Sequence, residues 1–244
     1  MLPKIIIGVV LLVLGVFVFG IITGRGELPP FLAGNSANQP SCPDPLILQT
    51  PVDLNKVTAI LYPGQERGGD FKSHGGFRFN NSKPDDIQVK APFDGKLREA
   101  QAYIEDDEVQ YLFDFENPCG IVYRWDHLAS LSPKFEEFAK SLKVLSEEDW
   151  KTGSAVHAQR PGSLNLRVTQ GEVIATAVGF RKTNNVFVDF GVYDLRGKSL
   201  YQNPRPYAVC WFDWLSEEDA KIIKSLPSGS SESGTQSTLC KQAN

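Results

Sequence analysis

Histidine is scarce in this chain, with three residues, His74, His127 and His157, among 244. Imidazole nitrogens and carboxylate oxygens are the donors that a zinc ion takes three or four at a time. His74, His127 and His157 together with Asp189 therefore make one candidate metal set. His157 lies in a segment, residues 133–166, whose path the sequence does not fix, and a histidine next to Asp126, as His127 is, reads more simply as hydrogen-bonded to a neighbour. The run Glu105-Asp106-Asp107-Glu108 gathers four carboxylates that could attract calcium, although between two strands it reads first as a solvated hairpin tip. Trp211 and Trp214, around Cys210 and Phe212, could form a platform for a sugar ring; packed so densely beside a helix start, they read as core. Glu66, Arg67 and Arg124 read as ordinary surface charges.

The elements that must position these groups are mostly strands. Short runs rich in Val, Ile, Phe and Tyr recur at Thr58–Tyr62, Gly76–Phe79, Ile87–Ala91, Val109–Phe115, Ile121–Trp125, Val173–Val178 and Val186–Val192. Turn formers such as Asn80-Asn81, Pro92-Phe93-Asp94-Gly95 and Asn117-Pro118 separate them. Two helices are expected. Pro133–Leu145 puts Phe135, Phe138, Leu142 and Leu145 at helical spacing, and a second helix starts at Ser216, where Ser216 and Asp219 resemble a capping box. The fold class is mainly β, with one main domain.

Three patches follow one another in order. The first is His74-Gly75-Gly76-Phe77-Arg78-Phe79, followed by the strand-turn-strand of Val89 to Leu97. The second is Trp125-Asp126-His127-Leu128. The third runs from Val168 to Gly179 and leads into Val186-Phe187-Val188-Asp189-Phe190-Gly191. In this order and spacing, over roughly residues 56 to 196, they resemble the lysostaphin-type (LytM-like) zinc metallopeptidases, which cleave peptide cross-links of bacterial peptidoglycan. The resemblance implies a β-sheet domain built on a duplicated hybrid motif, here carrying a helical insertion at 133–166. It also implies a binding groove lined by His74, Arg78, His127, Phe187 and Asp189.

At the family's three zinc-ligand positions this chain carries His74, Arg78 and Asp189. Arginine offers five donors, no lone pair and a fixed charge, so it cannot hold a cation. If Arg78 and Asp189 are neighbours, a charge-assisted pair between them is expected in place of zinc. Phe187 stands where the family has a histidine that assists the attacking water, while His127 keeps the family histidine that stabilises the reacting centre. Shifting the first motif onto Gly68-Gly69-Asp70-Phe71 loses the histidine instead, because Glu66 is four residues before Asp70. No cofactor is therefore expected, and the domain reads as a pseudoenzyme. Zinc enters only if an unusual ligand set operates.

Ile5 to Ile22 is an uninterrupted run of Ile, Val, Leu, Phe and Gly. As a helix it would be about 27 Å long, enough to span a bilayer. With no small-x-small site directly after it, it reads as an uncleaved single-span anchor over residues 1–25. A Pro-rich linker (26–55) follows, then the β domain (56–200), a helical extension (201–227) and a disordered tail (228–244). The expected placement is in the membrane with the domain extracytoplasmic. There, Cys119 and Cys210 could pair, with Cys42 and Cys240 flanking the fold. A net charge of −4 excludes a basic nucleic-acid binder.

Three functions remain open on these residues. The leading one is a degenerate, membrane-anchored domain that binds a cell-wall peptide or glycan, or regulates a cell-wall hydrolase. The second is an active zinc endopeptidase on peptidoglycan cross-links. The third, a hybrid-barrel transport adaptor, shares the pattern around Pro92 to Leu97 and Gln170 to Ala175. It lacks the long heptad region such an adaptor needs.

Overall fold

β-Branched and aromatic residues separated by Asn, Pro and Gly favour pleated, half-buried segments. The computed structural model describes residues 40–152, 166–198, 203–229 and 236–240. The apolar run at 5–22 and His157 lie outside the described residues, among which no helix is long and apolar enough to cross a membrane. The strands are β1 (Ala59–Leu61), β2 (Gln65–Arg67), β3 (Asp70–Lys72), β4 (Gly75–Arg78), β5 (Val89–Lys90) and β6 (Gly95–Glu105). They continue with β7 (Glu108–Glu116), β8 (Ile121–Leu131), β9 (Val144–Leu145), β10 (Arg167–Val168), β11 (Val173–Val178) and β12 (Phe187–Asp194). Helices are few: α1 (Pro133–Ala139), α2 (Glu147–Thr152) and α3 (Glu217–Ser225).

Among the described residues one 10-stranded sheet runs β1-β4-β12-β8-β7-β6-β10. From it β11 branches off β8 to pair with β5, and β9 lies parallel to β6. The remaining pairings are antiparallel, and β2 with β3 forms a separate hairpin. The fold is therefore mainly β, as the run spacing predicts. Trp125 stacks on Phe190 at 4.3 Å between ring centroids, and Trp211 closes on Phe190 and Phe77 at 5.1 and 5.0 Å. Trp211 is thus core, whereas Trp214 sits at the margin beneath the Arg196 guanidinium.

Four expectations are corrected by packing that composition does not reveal. The helix predicted over 133–145 stops at Ala139, where the chain tightens into i→i+3 bonds from Ser141 to Phe138 and from Leu142 to Ala139. Leu145 is buried instead in β9, against β6. The described part of the predicted linker is not a spacer: Leu48 and Val52 are buried, and Leu48 N–H donates to the Trp214 carbonyl at 2.7 Å. The predicted disordered tail is held at both described stretches, with Gly229 N–H donating to the Ile60 carbonyl and Thr238 N–H to that of Gly64. Finally, Cys119 pairs with Cys42 rather than Cys210, and Cys210 pairs with Cys240, so the two disulfides fasten the segments that flank the sheet.

Arg124 is no surface charge either. On β8 its guanidinium makes a bidentate pair with Asp114 of β7, both hydrogen bonds being 2.8 Å long, and the Asp114 side chain is fully buried. Burial opposes the charge on Arg124, but the Asp114 carboxylate outweighs it and holds the guanidinium ionised. Ser216 does cap α3 as expected, its hydroxyl accepting from Asp219 N–H at 3.1 Å.

Candidate functional site

Side chains alternate across a strand, so His74, just before β4, shares a face with Gly76 and Arg78. On β12, Phe187, Asp189 and Gly191 share a face in the same way. The register places Arg78 opposite Phe187 and Gly76 opposite Asp189, while Asp126 of β8 lies opposite Asp189 on the other side. Two glycines make this face accessible. A Cβ at position 76 would lie 2.4 Å from the Val188 carbonyl oxygen and 3.1 Å from Asp189 Oδ1, and one at 191 would lie 3.0 Å from His74 Cβ. Only glycine at these positions leaves space for the His74 and Asp189 side chains to meet.

They meet at 2.9 Å, His74 Nε2 to Asp189 Oδ2. Burial raises the Asp189 pKa, but His74, His127 and Arg67 together outweigh it and hold the carboxyl well below the usual carboxylate range. An ionised carboxylate only accepts, so His74 Nε2 carries the proton and donates it. His127 Nε2 lies 3.8 Å from the same Oδ2, and His127 Nδ1 lies 3.5 Å from Glu105 Oε2 at the end of β6. Neither His127 Nδ1 nor Glu105 Oε2 has a hydrogen-bond partner, although both atoms are buried. Burial pushes the Glu105 pKa up, as do Asp126, Asp106 and Asp189, against the opposing pull of His127.

His127 reaches this place through an unusual backbone. Its φ is +62°, in the left-handed region that residues other than glycine seldom occupy. The pairings of β8 with β7 and β11 both skip a residue near it. Asp126 Oδ1 fixes the distortion by accepting from His127 N–H at 2.9 Å and from the Tyr103 hydroxyl at 2.5 Å. The Tyr103 phenol is pushed well above its usual pKa by burial and by Asp126, so it stays protonated and donates. Arg67 supports the other end. From β2 its guanidinium donates to the carbonyls of Tyr62 and His74, at 2.8 and 3.0 Å.

The expected Arg78–Asp189 pair is not formed. Asp189 is taken by His74, while Arg78 donates to Asn185 Oδ1 at 2.8 Å and lies 5.6 Å from the Phe187 ring centroid. That ring is 4.6 Å from the imidazole of His127, which Phe180 also contacts edge-on. The structure thus brings together His74, His127, Phe187 and Asp189, with Arg78 beside Phe187. Asp70 is exposed on β3 and pairs with Lys72, so the shifted motif register places no residue in the cluster.

Asp126 bonds its expected neighbour His127, but through the backbone N–H and not the imidazole, while Arg67, Tyr103 and Glu105 belong to the cluster without being placed in it by the sequence motifs. For Glu105 a signal existed. Glu105 ends β6 directly opposite Glu108, at a tip whose two residues, Asp106 and Asp107, both have positive φ, so the acidic run marks a tight turn with a carboxylate on each side of it.

Zinc is the ion the sequence resemblance implies, and the residues present do not fit it. Position 78 is a guanidinium, Asp189 is bonded directly to His74, and among the described residues no three His, Cys, Asp or Glu side chains are arranged to hold a metal ion. What the cluster can do is offer imidazole, carboxylate and guanidinium groups to a polar ligand.

No family model and no curated protein matches the chain. Among solved structures it is similar to Csd3 of Helicobacter pylori, at 14% identity and a TM-score of 0.36, over 73% of this chain and 39% of that one. It is also similar to a chain of the SpoIIQ–SpoIIIAH pore-forming complex, at 13% identity and a TM-score of 0.40, over 73% of this chain and 97% of that one. The chain therefore spans about two fifths of the Csd3 chain. The class defined by fold and site is a mainly β domain whose central strands present a histidine–carboxylate cluster.

Proposed function

We propose that this is a catalytically degenerate lysostaphin-like domain, held at the membrane by residues 5–22. It acts outside the cytoplasm, where it binds a cell-wall peptide or glycan or regulates a cell-wall hydrolase. The observation that carries this reading is the direct His74–Asp189 bond together with Arg78 and Phe187. These residues stand where the resemblance calls for a zinc set and a water-assisting histidine. Hydrolysis of a peptide bond by that family's chemistry needs a bound cation and a base beside the attacking water. Here a guanidinium and a phenyl ring occupy two of those positions, and the surviving His127 is left to hold or orient a ligand. The two disulfides support an oxidising compartment, since such bonds are rare in reducing ones.

Co-sedimentation of the full chain with purified peptidoglycan, combined with chromatography of any soluble fragments, tests the reading. Binding without release of fragments is expected, with or without added zinc. Release of peptide fragments that a chelator abolishes would instead establish the zinc endopeptidase.

A further inference from the structure

The Arg78 side chain is held by three residues, yet among the described residues no acid faces its guanidinium. Gly229 packs against its stem so closely that a Cβ there would lie 2.6 Å from Arg78 Cδ. Phe187 covers one face at 5.6 Å, and Asn185 Oδ1 accepts one of its N–H groups at 2.8 Å. Among the described residues no carboxylate is within ion-pair distance, although Asp189 sits two positions along the neighbouring strand from the residue opposite Arg78. A guanidinium has five N–H donors in a rigid fork, so most of them remain open to a ligand. A half-buried cation, already positioned and without a counter-ion among the described residues, is an anion-receiving group.

We propose that Arg78, with Asn185 and Phe187, receives the carboxylate of a bound peptide at the edge of the His127 cluster. This rests on the reading that the cluster binds rather than cleaves. A singly charged, planar carboxylate matches the fork bidentately, and its two oxygens can take the N–H groups that Asn185 leaves open. A phosphate dianion would meet stronger repulsion from Asp189 and Glu105, which lie 3.8 and 3.5 Å from the His127 ring that Phe187 contacts. The exposed part of Phe187 gives the residue bearing the carboxylate an apolar surface, so a small aliphatic side chain suits it.

The test uses the full chain, purified in detergent, with N-acetyl-alanylalanine, its C-terminal amide and methyl phosphate as probes, read by nuclear magnetic resonance of the arginine side chains. The free carboxylate should shift the Arg78 Nε signal in a saturable way and bind at least about tenfold more tightly than the amide or methyl phosphate. Arg78→Gln should weaken the carboxylate by a similar factor and leave the amide unchanged, while Arg78→Lys should keep part of the affinity. Should Arg78→Gln unfold, Asn185→Ala, which removes only the positioning contact, should weaken the carboxylate several-fold. Equal affinity for carboxylate and amide, tighter binding of methyl phosphate, or no saturable shift would overturn the site. If the probes fail while peptidoglycan still co-sediments, the carboxylate site alone is wrong; if both fail, the binding reading falls as well.

Discussion

Replacing Asp189 with Asn removes one charge from the centre of the cluster and keeps the side chain's shape. The carboxylate accepts a charge-assisted bond from His74 at 2.9 Å, lies 3.8 Å from His127, and is attracted by Arg67. A hydrogen bond to a charged group contributes about 1.5–3 kcal/mol against about 1 kcal/mol for a neutral one. The Arg67 guanidinium adds to this, and relief of carboxylate burial subtracts from it. The strongly depressed pKa shows that attraction wins, so the loss should be about 2–3 kcal/mol at neutral pH. In a domain of this size that lowers Tm by about 5–10 °C. A group whose folded pKa is depressed contributes stability that is fully present above its unfolded value, about 3.9, and is lost as pH falls through the folded value. Thermal melts of wild type and Asp189→Asn followed by circular dichroism should therefore stay separated from pH 7 down to about pH 5 and begin to converge only below about pH 4, closing progressively as the pH falls further. Equal melting temperatures at pH 7, or a more stable variant, would refute the idea that Asp189 holds the cluster together.

Glu105 carries the opposite sign. Its raised pKa means that folding loses stability as pH rises through the ordinary glutamate value, so Glu105→Gln should match wild type near pH 4 and melt a few degrees higher at pH 7. Asp114→Asn should unfold the domain about 3–5 kcal/mol more easily in urea, because it strands the buried Arg124 guanidinium; a change under about 1 kcal/mol would contradict the pairing. Peptide mapping under non-reducing conditions should recover Cys42 linked to Cys119 and Cys210 linked to Cys240, and Cys240→Ser should lower stability by about 3–4 kcal/mol.

Much of the sheet was legible because its strands are marked by local chemistry. Val173–Val178 was bounded correctly by its own β-branched run, and Ser216 announced the start of α3. The start of β6 is read in the strand-turn-strand of Val89 to Leu97, but its run to Glu105 is not, because Arg98 and Glu99 break the apolar pattern, although β7 and β10 pair with it on both sides. In the site, the approach of His74, His127, Phe187 and Asp189 is what the family resemblance implies. The partner of Asp189 is not. Strand spacing alone cannot say which of two nearby donors a carboxylate takes, and here the glycines at 76 and 191 open the path for His74. The positive φ of His127 goes with shifts in the pairing of β8 with β7 and with β11, which the local sequence does not mark. The held tail was unreadable for the same reason: a Ser- and Gly-rich composition says nothing of a disulfide 30 residues back.

Metal content decides most directly between a binding cluster and a hydrolase. The full chain would be purified without chelator, dialysed against micromolar zinc, washed and analysed by elemental mass spectrometry beside His74→Ala. Less than about a tenth of a zinc per chain is expected in both proteins, since the donors at Asp189 and His74 are spent on each other. One zinc per chain in the wild type, lost in His74→Ala, would contradict a metal-free cluster and make the domain a metallopeptidase with an unusual ligand set.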